Sequence, residues 1–123
     1  YSTVSNGYGN TASGQYSTVI NGYQNTASCN YSIVSGYRNT ASGQYSTVIN
    51  GSANRALANH SFIAGGSSNI ACLTESFIVG SNITSNRTCT TFVNNLSIMN
   101  LPTSSAGLPA GAVWKNGSVL NIV

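Results

Sequence analysis

The sequence predicts an all-β fold, a parallel β-solenoid built of 14–15-residue coils, and three observations predict it. One unit is written repeatedly: a Tyr-Ser opening, a β-branched pair, a Gly, then Asn-Thr-Ala-Ser. The clearest copies are YSTVSNGYGNTASGQ from Tyr1, YSTVINGYQNTASCN from Tyr16, YSIVSGYRNTASGQ from Tyr31 and YSTVINGSANRALAN from Tyr45, so the openings lie 15, 15 and 14 residues apart. Gly or Asn recurs every few residues with no 3.6-residue period, which rules out helix. Only 4% of the residues are charged, against about 25% in an ordinary domain. That deficit suits stacked coils, where like side chains sit about 4.8 Å apart and charges would repel.

Each coil divides in the same way. The four or five residues after the opening Tyr alternate and are rich in Thr, Val and Ile, which favours a strand. Gly7, Gly22, Gly36, Gly51 and Gly66 then break it, and Asn10, Asn25, Asn39, Asn54 and Asn69 follow. Gly and Asn accept the left-handed backbone of a turn. A second short strand around Thr-Ala-Ser completes the coil, and two short strands with two turns make one solenoid repeat.

The period outlasts the obvious copies. HSFIAGGSSNIACLT begins at His60, ESFIVGSNITSNRTC at Glu75 and TTFVNN at Thr90, so the openings run Tyr1, Tyr16, Tyr31, Tyr45, His60, Glu75 and Thr90. The third residue after each is Val4, Val19, Val34, Val48, Ile63, Ile78 and Val93. This column is expected to point into the coil. The opposite face, Thr3/Ser5, Thr18/Ile20, Ile33/Ser35 and Thr47/Ile49, turns strongly apolar at Phe62/Ala64 and Phe77/Val79. A strand apolar on both faces is usually buried on both, so the outer face is expected to meet partner subunits in a homotrimer. Residues 1–95 are read as the β-roll repeat domain and 96–123 as a C-terminal capping and trimerisation segment. In that segment Lys115-Asn116-Gly117 is read as a hairpin turn between strands Ala112 to Trp114 and Ser118 to Val123, with Trp114 as the apolar anchor of the cap and a receptor contact as its alternative role.

Composition narrows the function. The four cations, Arg38, Arg55, Arg87 and Lys115, are scattered and the net charge is +3, so the basic patch of a nucleic-acid binder is missing. At 41% hydrophobic residues, regularly spaced, the chain is not of the disordered class. No run approaches the roughly 20 apolar residues of a spanning helix, so membrane insertion is not expected. The chain opens inside a repeat, which reads as part of a longer protein without a leader of its own.

Catalytic chemistry is not expected. Glu75 is the single acid and Asp is absent, whereas glycosidases need two carboxylates and calcium-binding solenoids need Asp-rich turns. His60 occupies the tyrosine column and reads as a ladder variant rather than a base. Gly7-Tyr8-Gly9 lacks the Lys-Ser/Thr of a phosphate loop. Cys29, Cys72 and Cys89 form no zinc pattern; Cys29 stands where other coils have Gly14 and Gly43, and a Cys72–Cys89 disulfide is open. No metal and no cofactor are expected. Of seven Asn-x-Ser/Thr sequons, at Asn30, Asn50, Asn59, Asn82, Asn86, Asn95 and Asn116, several are expected by chance in so Asn- and Ser-rich a chain, so they do not establish glycosylation.

The candidate ligand site is a second aromatic column, Tyr8, Tyr23 and Tyr37, beside Asn10, Asn25 and Asn39. Tyrosine faces stack on pyranose rings and Asn amides bond sugar hydroxyls; the alternative is turn packing, in which aromatic stacking alone justifies the column. An ice-binding Thr3/Thr18/Thr47 column is interrupted by Ile33.

Ser32-Ile-Val-Ser-Gly36 with Asn39-Thr-Ala41-Ser-Gly43 resembles the SVAIG…A-x-A-x-G repeat of trimeric autotransporter adhesin heads, the left-handed parallel β-roll of the Yersinia adhesin type. SFIAGG at Ser61 and SFIVGS at Ser76 resemble its core strand. From Leu96, LSIMNLPTSSAGLPAGAVWKNGSVLNIV resembles the C-terminal ends of phage and large-DNA-virus fibre proteins. The resemblances imply a non-enzymatic fibre or attachment protein on a virion surface, binding host cell-surface polysaccharide or glycan multivalently. The alternatives are a purely structural shaft or trimerisation module and a bacterial trimeric adhesin head on the cell surface.

Overall fold

The computed structural model describes all 123 residues. In chain order the strands are β1 (Thr3–Val4), β2 (Thr11–Ala12), β3 (Thr18–Tyr23), β4 (Thr26–Ala27), β5 (Ile33–Tyr37), β6 (Thr40–Ala41) and β7 (Thr47–Val48). They continue as β8 (Arg55–Ala56), β9 (Phe62–Ile63), β10 (Ile70–Ala71), β11 (Phe77–Val79), β12 (Thr91–Val93), β13 (Val113–Asn116) and β14 (Val119–Ile122). There is no helix. One parallel sheet runs β1-β3-β5-β7-β9-β11-β12 and a second runs β10-β8-β6-β4-β2. The chain is thus an all-β parallel solenoid of six complete coils, with β12 opening a seventh, and at about 4.8 Å per rung the six coils extend roughly 29 Å.

The core is one side chain thick. Val19, Val34, Val48, Ile63 and Ile78 of the first sheet face Ala27, Ala41, Ala56 and Ala71 of the second, all fully buried. A coil of 14 or 15 residues has room for a branched side chain on one wall and a methyl on the other, which is why the motif is Val opposite Thr-Ala. Val4 stands in the same column but is 47% exposed, because no coil covers its outer side. At Gly22 the backbone has φ 114, and a Cβ there would strike the Gly36 carbonyl of the next coil; only glycine accepts both the conformation and the approach.

The last rung differs from expectation. Phe92 pairs with Ile78 and Val93 with Val79, so Phe92 enters the core column and Val93 turns outward. The opening residue is therefore Cys89 and not Thr90: Cys89 has φ 51, matching Tyr16, Tyr31, Tyr45, His60 and Glu75 at 56 to 59. Its N–H donates to Thr74 O as that of Tyr31 does to Gln15 O. The cause lies in the sixth coil, where a single residue separates Ile78 from Gly80, as in the third coil between Val34 and Gly36. The register of β3 on β5 shifts by one residue at that point. The sixth coil thus spans 14 residues, as the third does, and not 15.

Residues 113–122 form an antiparallel hairpin, as the alternation predicts, but its turn is placed differently. Asn116 pairs with Val119 and Lys115 with Leu120, leaving Gly117-Ser118 as a two-residue loop. Gly117 has φ 60 while Ser118 does not have positive φ, the pattern of a type II′ turn. The segment's other backbone bonds are its own: Lys115 N–H donates to Pro102 O and Gly111 N–H to Val123 O.

Candidate functional site

Two aromatic columns stand on the surface, at the two ends of the first sheet's strands. Tyr23 closes β3, and its equivalents Tyr8 and Tyr37 lie in register above and below it. Their positions are set by the backbone: Tyr8 N–H donates to Gly22 O and Tyr37 N–H to Gly51 O, each at 3.0 Å. The rings stack with centroids 5.6 and 5.4 Å apart and planes 15° and 13° from parallel. The column continues in Ser52 and Ser67.

Stacking limits what this column offers a ligand. Each ring spends its faces on its neighbours, so Tyr23 in the middle is 38% exposed, whereas Tyr37 is 50% and Tyr8 71% exposed. The outward surface is a row of ring edges and phenol hydroxyls at coil spacing; an open face remains only at Tyr8 and at Tyr37, beyond which the column drops to serine. Hydroxyl rows of this kind give and accept hydrogen bonds along a polyhydroxylated chain.

The asparagines expected beside these rings point the other way. Asn25 and Asn39 are fully buried, and so are Asn54 and Asn69. They form a ladder through the coil interior. Asn25 N–H donates to Asn10 Oδ1 at 2.9 Å, Asn39 N–H to Asn25 Oδ1 at 3.0 Å and Asn54 N–H to Asn39 Oδ1 at 2.8 Å. The amide nitrogens donate to glycine carbonyls of the next coil: Asn10 to Gly22 at 2.8 Å, Asn25 to Gly36 at 2.6 Å and Asn39 to Gly51 at 3.0 Å. Asn25 and Asn39 therefore have no surface to offer a sugar, and Asn10, half-buried, has both side-chain polar atoms committed to the second coil. Of the six expected site residues, only Tyr8, Tyr23 and Tyr37 come together at the surface.

The opening residues make the longer column. Tyr1, Tyr16, Tyr31, Tyr45 and His60 stack at centroid separations of 5.7, 5.2, 4.9 and 5.1 Å. His60 acts as the fifth ring, in keeping with a ladder variant. Residues 16, 31, 45 and 60 each have positive φ, an uncommon conformation for such bulky side chains that the coil's hydrogen bonds impose. The period in the sequence exposes this column, but its ring-on-ring geometry depends on that turn conformation.

Titratable chemistry is sparse. Glu75 Oε2 accepts a hydrogen bond from Cys89 Sγ at 2.9 Å, and that bond, with the carboxylate's charge, pushes the Cys89 thiol above its usual range. All three cysteines are free thiols. No group of three or more His, Cys, Asp or Glu side chains gathers in metal-binding range. No protein-family model matches this chain, and no curated protein does.

Proposed function

We propose that the chain is a module of a homotrimeric surface fibre, of the viral attachment type, that contacts host cell-surface carbohydrate through the Tyr8, Tyr23 and Tyr37 column and catalyses nothing. The observation that carries the reading is the contrast between the two outer walls of the roll. On the first sheet Ile20, Ile33, Ile49, Phe77, Val79 and Val93 are 38 to 48% exposed, and Phe62 stacks on Phe77 at 5.0 Å. The second sheet's outer wall is mostly polar, Thr11, Ser13, Thr26, Ser28, Thr40, Ser42 and Arg55, with Leu57 and Ile70 as its apolar members. An outward apolar residue in every coil from the second on, along one wall of an elongated, nearly uncharged rod, calls for a covering surface, and two further copies provide it with closed symmetry. The hairpin carries the same signature, with Val119, Leu120 and Ile122 58 to 73% exposed, and serves as the capping and trimerisation element in this reading. Repetition along the rod and around the axis turns weak contacts into avidity.

Native mass spectrometry tests the assembly: a stable trimer is expected, a stable monomer overturns it, and Phe77→Lys is expected to dissociate it. A glycan array with the assembled protein and its Tyr8→Ala/Tyr23→Ala/Tyr37→Ala variant tests the ligand. A second reading, a shaft that binds nothing, is favoured by the burial of Asn25 and Asn39 and by ring faces spent on one another. An array without signal decides for it.

A further inference from the structure

We propose that the opening-residue column is a site of oxidative tyrosine cross-linking, with Tyr31 and Tyr45 as the principal pair, so that a one-electron oxidant staples the third coil to the fourth. Dityrosine forms when two tyrosyl radicals meet before they are quenched, and the limiting requirement is proximity. The coils meet it in the ground state. Tyr31 N–H donates to Gln15 O at 2.9 Å, Tyr45 N–H to Asn30 O at 3.1 Å and His60 N–H to Gln44 O at 2.9 Å, so the backbones under these rings are held in register. Tyr31 and Tyr45 have the closest centroids of any ring pair, 4.9 Å, and the most nearly parallel planes, 7° apart. Tyr16–Tyr31 follows at 5.2 Å and 15°, and Tyr23–Tyr37 and Tyr8–Tyr23 are wider at 5.4 and 5.6 Å.

Access and freedom are both present. Tyr31 and Tyr45 are 42% and 47% exposed, and no protein hydrogen bond holds either hydroxyl, so oxidant reaches the phenol and each ring can turn about its side-chain torsions. Positioning of reacting groups in contact replaces a bimolecular encounter by an intramolecular one, worth up to about 10⁵ M in effective concentration or more. The oxidant is of the peroxidase and hydrogen peroxide class. Each phenol gives up one electron and one proton, the ring carbons ortho to the two oxygens join, and the hydrogens on those carbons move to the oxygens as both rings regain aromaticity. One hydrogen peroxide takes up the two electrons and two protons and leaves as two waters. The product chain is two hydrogen atoms lighter, with a carbon–carbon bond between residues 14 apart.

The test is oxidation of the intact folded protein by peroxidase and limiting hydrogen peroxide. Thiols are alkylated first, because Cys29 lies two residues from Tyr31 and would quench the radical. Dityrosine is read by its fluorescence and by peptide mapping. The expected result is a Tyr31–Tyr45 cross-link within one chain, in a yield that is unchanged on tenfold dilution and falls at least tenfold when the oxidation is run in denaturant. The cross-linked protein is expected to melt at a higher temperature than the untreated one. Tyr45→Phe keeps the stacked ring but removes the phenol, and is expected to move the cross-link to Tyr16–Tyr31. Dityrosine found only between chains, a yield that follows protein concentration, or equal yields from folded and unfolded chains would each overturn the proposal.

Discussion

Replacing Asn39 by Ala and by Asp separates the two duties of the buried asparagine ladder. In the native coil Asn39 Oδ1 accepts the Asn54 N–H at 2.8 Å, and its amide nitrogen donates to Ser35 O at 2.8 Å and to Gly51 O at 3.0 Å. Gly51 O retains the Tyr37 N–H when the side chain goes, but the Asn54 N–H loses its acceptor and the Ser35 carbonyl a donor. At about 1–3 kcal/mol for each buried group left unpaired, Asn39→Ala costs about 2–6 kcal/mol, a large share of the roughly 5–15 kcal/mol that holds a domain together. Asn39→Asp keeps the size and the acceptor but turns a carboxyl toward carbonyl oxygens. Burial and those oxygens favour its protonated form, so its folded pKa lies above the ordinary value of about 3.9. The folded state then holds its proton longer than the unfolded state. The stability of this variant is accordingly full below about pH 4 and lost as pH rises through the raised folded value. Urea unfolding followed by circular dichroism from pH 3 to pH 8 measures both effects. The unsubstituted chain, measured over the same range, supplies the background of Glu75, His60 and the termini, and the difference between the two profiles is what is read. An Ala variant losing less than about 0.5 kcal/mol, the size of an ordinary surface change, or an Asp variant with a flat pH profile would refute the ladder as a stabilising element.

Two further outcomes follow from the same geometry. Gly22→Ala sets a Cβ against the Gly36 carbonyl at φ 114, whereas Gly107→Ala at φ 76 meets nothing within 4 Å. The first is expected to prevent cooperative unfolding or lower the melting temperature severely, and the second to cost only the left-handed strain of about 1–2 kcal/mol; equal melts refute the close-approach argument. Glu75→Gln removes the carboxylate that raises the Cys89 thiol, so more thiolate is present at pH 8 and alkylation of Cys89 is expected to speed up, while the rate at exposed Cys72 stays the same.

What the sequence shows well is whatever a column repeats. Val19, Val34, Val48, Ile63 and Ile78 recur, each with a Gly two or three residues on and, in all but the last coil, an Ala seven or eight residues on, and a strand's two-residue period leaves one way to bury them. The end of the roll is harder because the cue is a missing residue. A gap between Ile78 and Gly80 shifts everything after it by one, and Thr90-Thr91 and Phe92-Val93 are each chemically similar pairs that hide the slip. The candidate site was legible by half. The tyrosines belong to the surface because their rings are too large for a core one side chain thick. The asparagines, although polar, go inside because the turn leaves backbone N–H groups of the next coil facing inward in need of an acceptor, with glycine carbonyls beside them that take a second donor. Polarity alone gives no hint of that; only the stacking of coils supplies the partners.

The same ladders that build the roll also end it. From Asn10 to Asn69 every coil passes an amide to the next, but Ile83 stands at the next position: its N–H donates to Asn69 Oδ1 at 3.0 Å and its side chain has nothing to pass on. One rung later Asn94 takes the place of the recurring glycine and reaches back to the sixth coil. Its Oδ1 accepts the Ser81 N–H at 2.6 Å, and its Nδ2 donates to Ser81 O at 3.2 Å. The Asn94 side chain thus lies over Gly80 of the sixth coil, where a Cβ on Gly80 would strike it, and the column's run of glycines ends there. Phe92, half-buried against the core, covers the last isoleucine with a ring too large for a repeating Val-on-Ala interior. The amide, glycine and valine columns thus change together within about one coil, at the point where the stack ends. β12 is accordingly the last strand of the first sheet, with no strand on its outer edge.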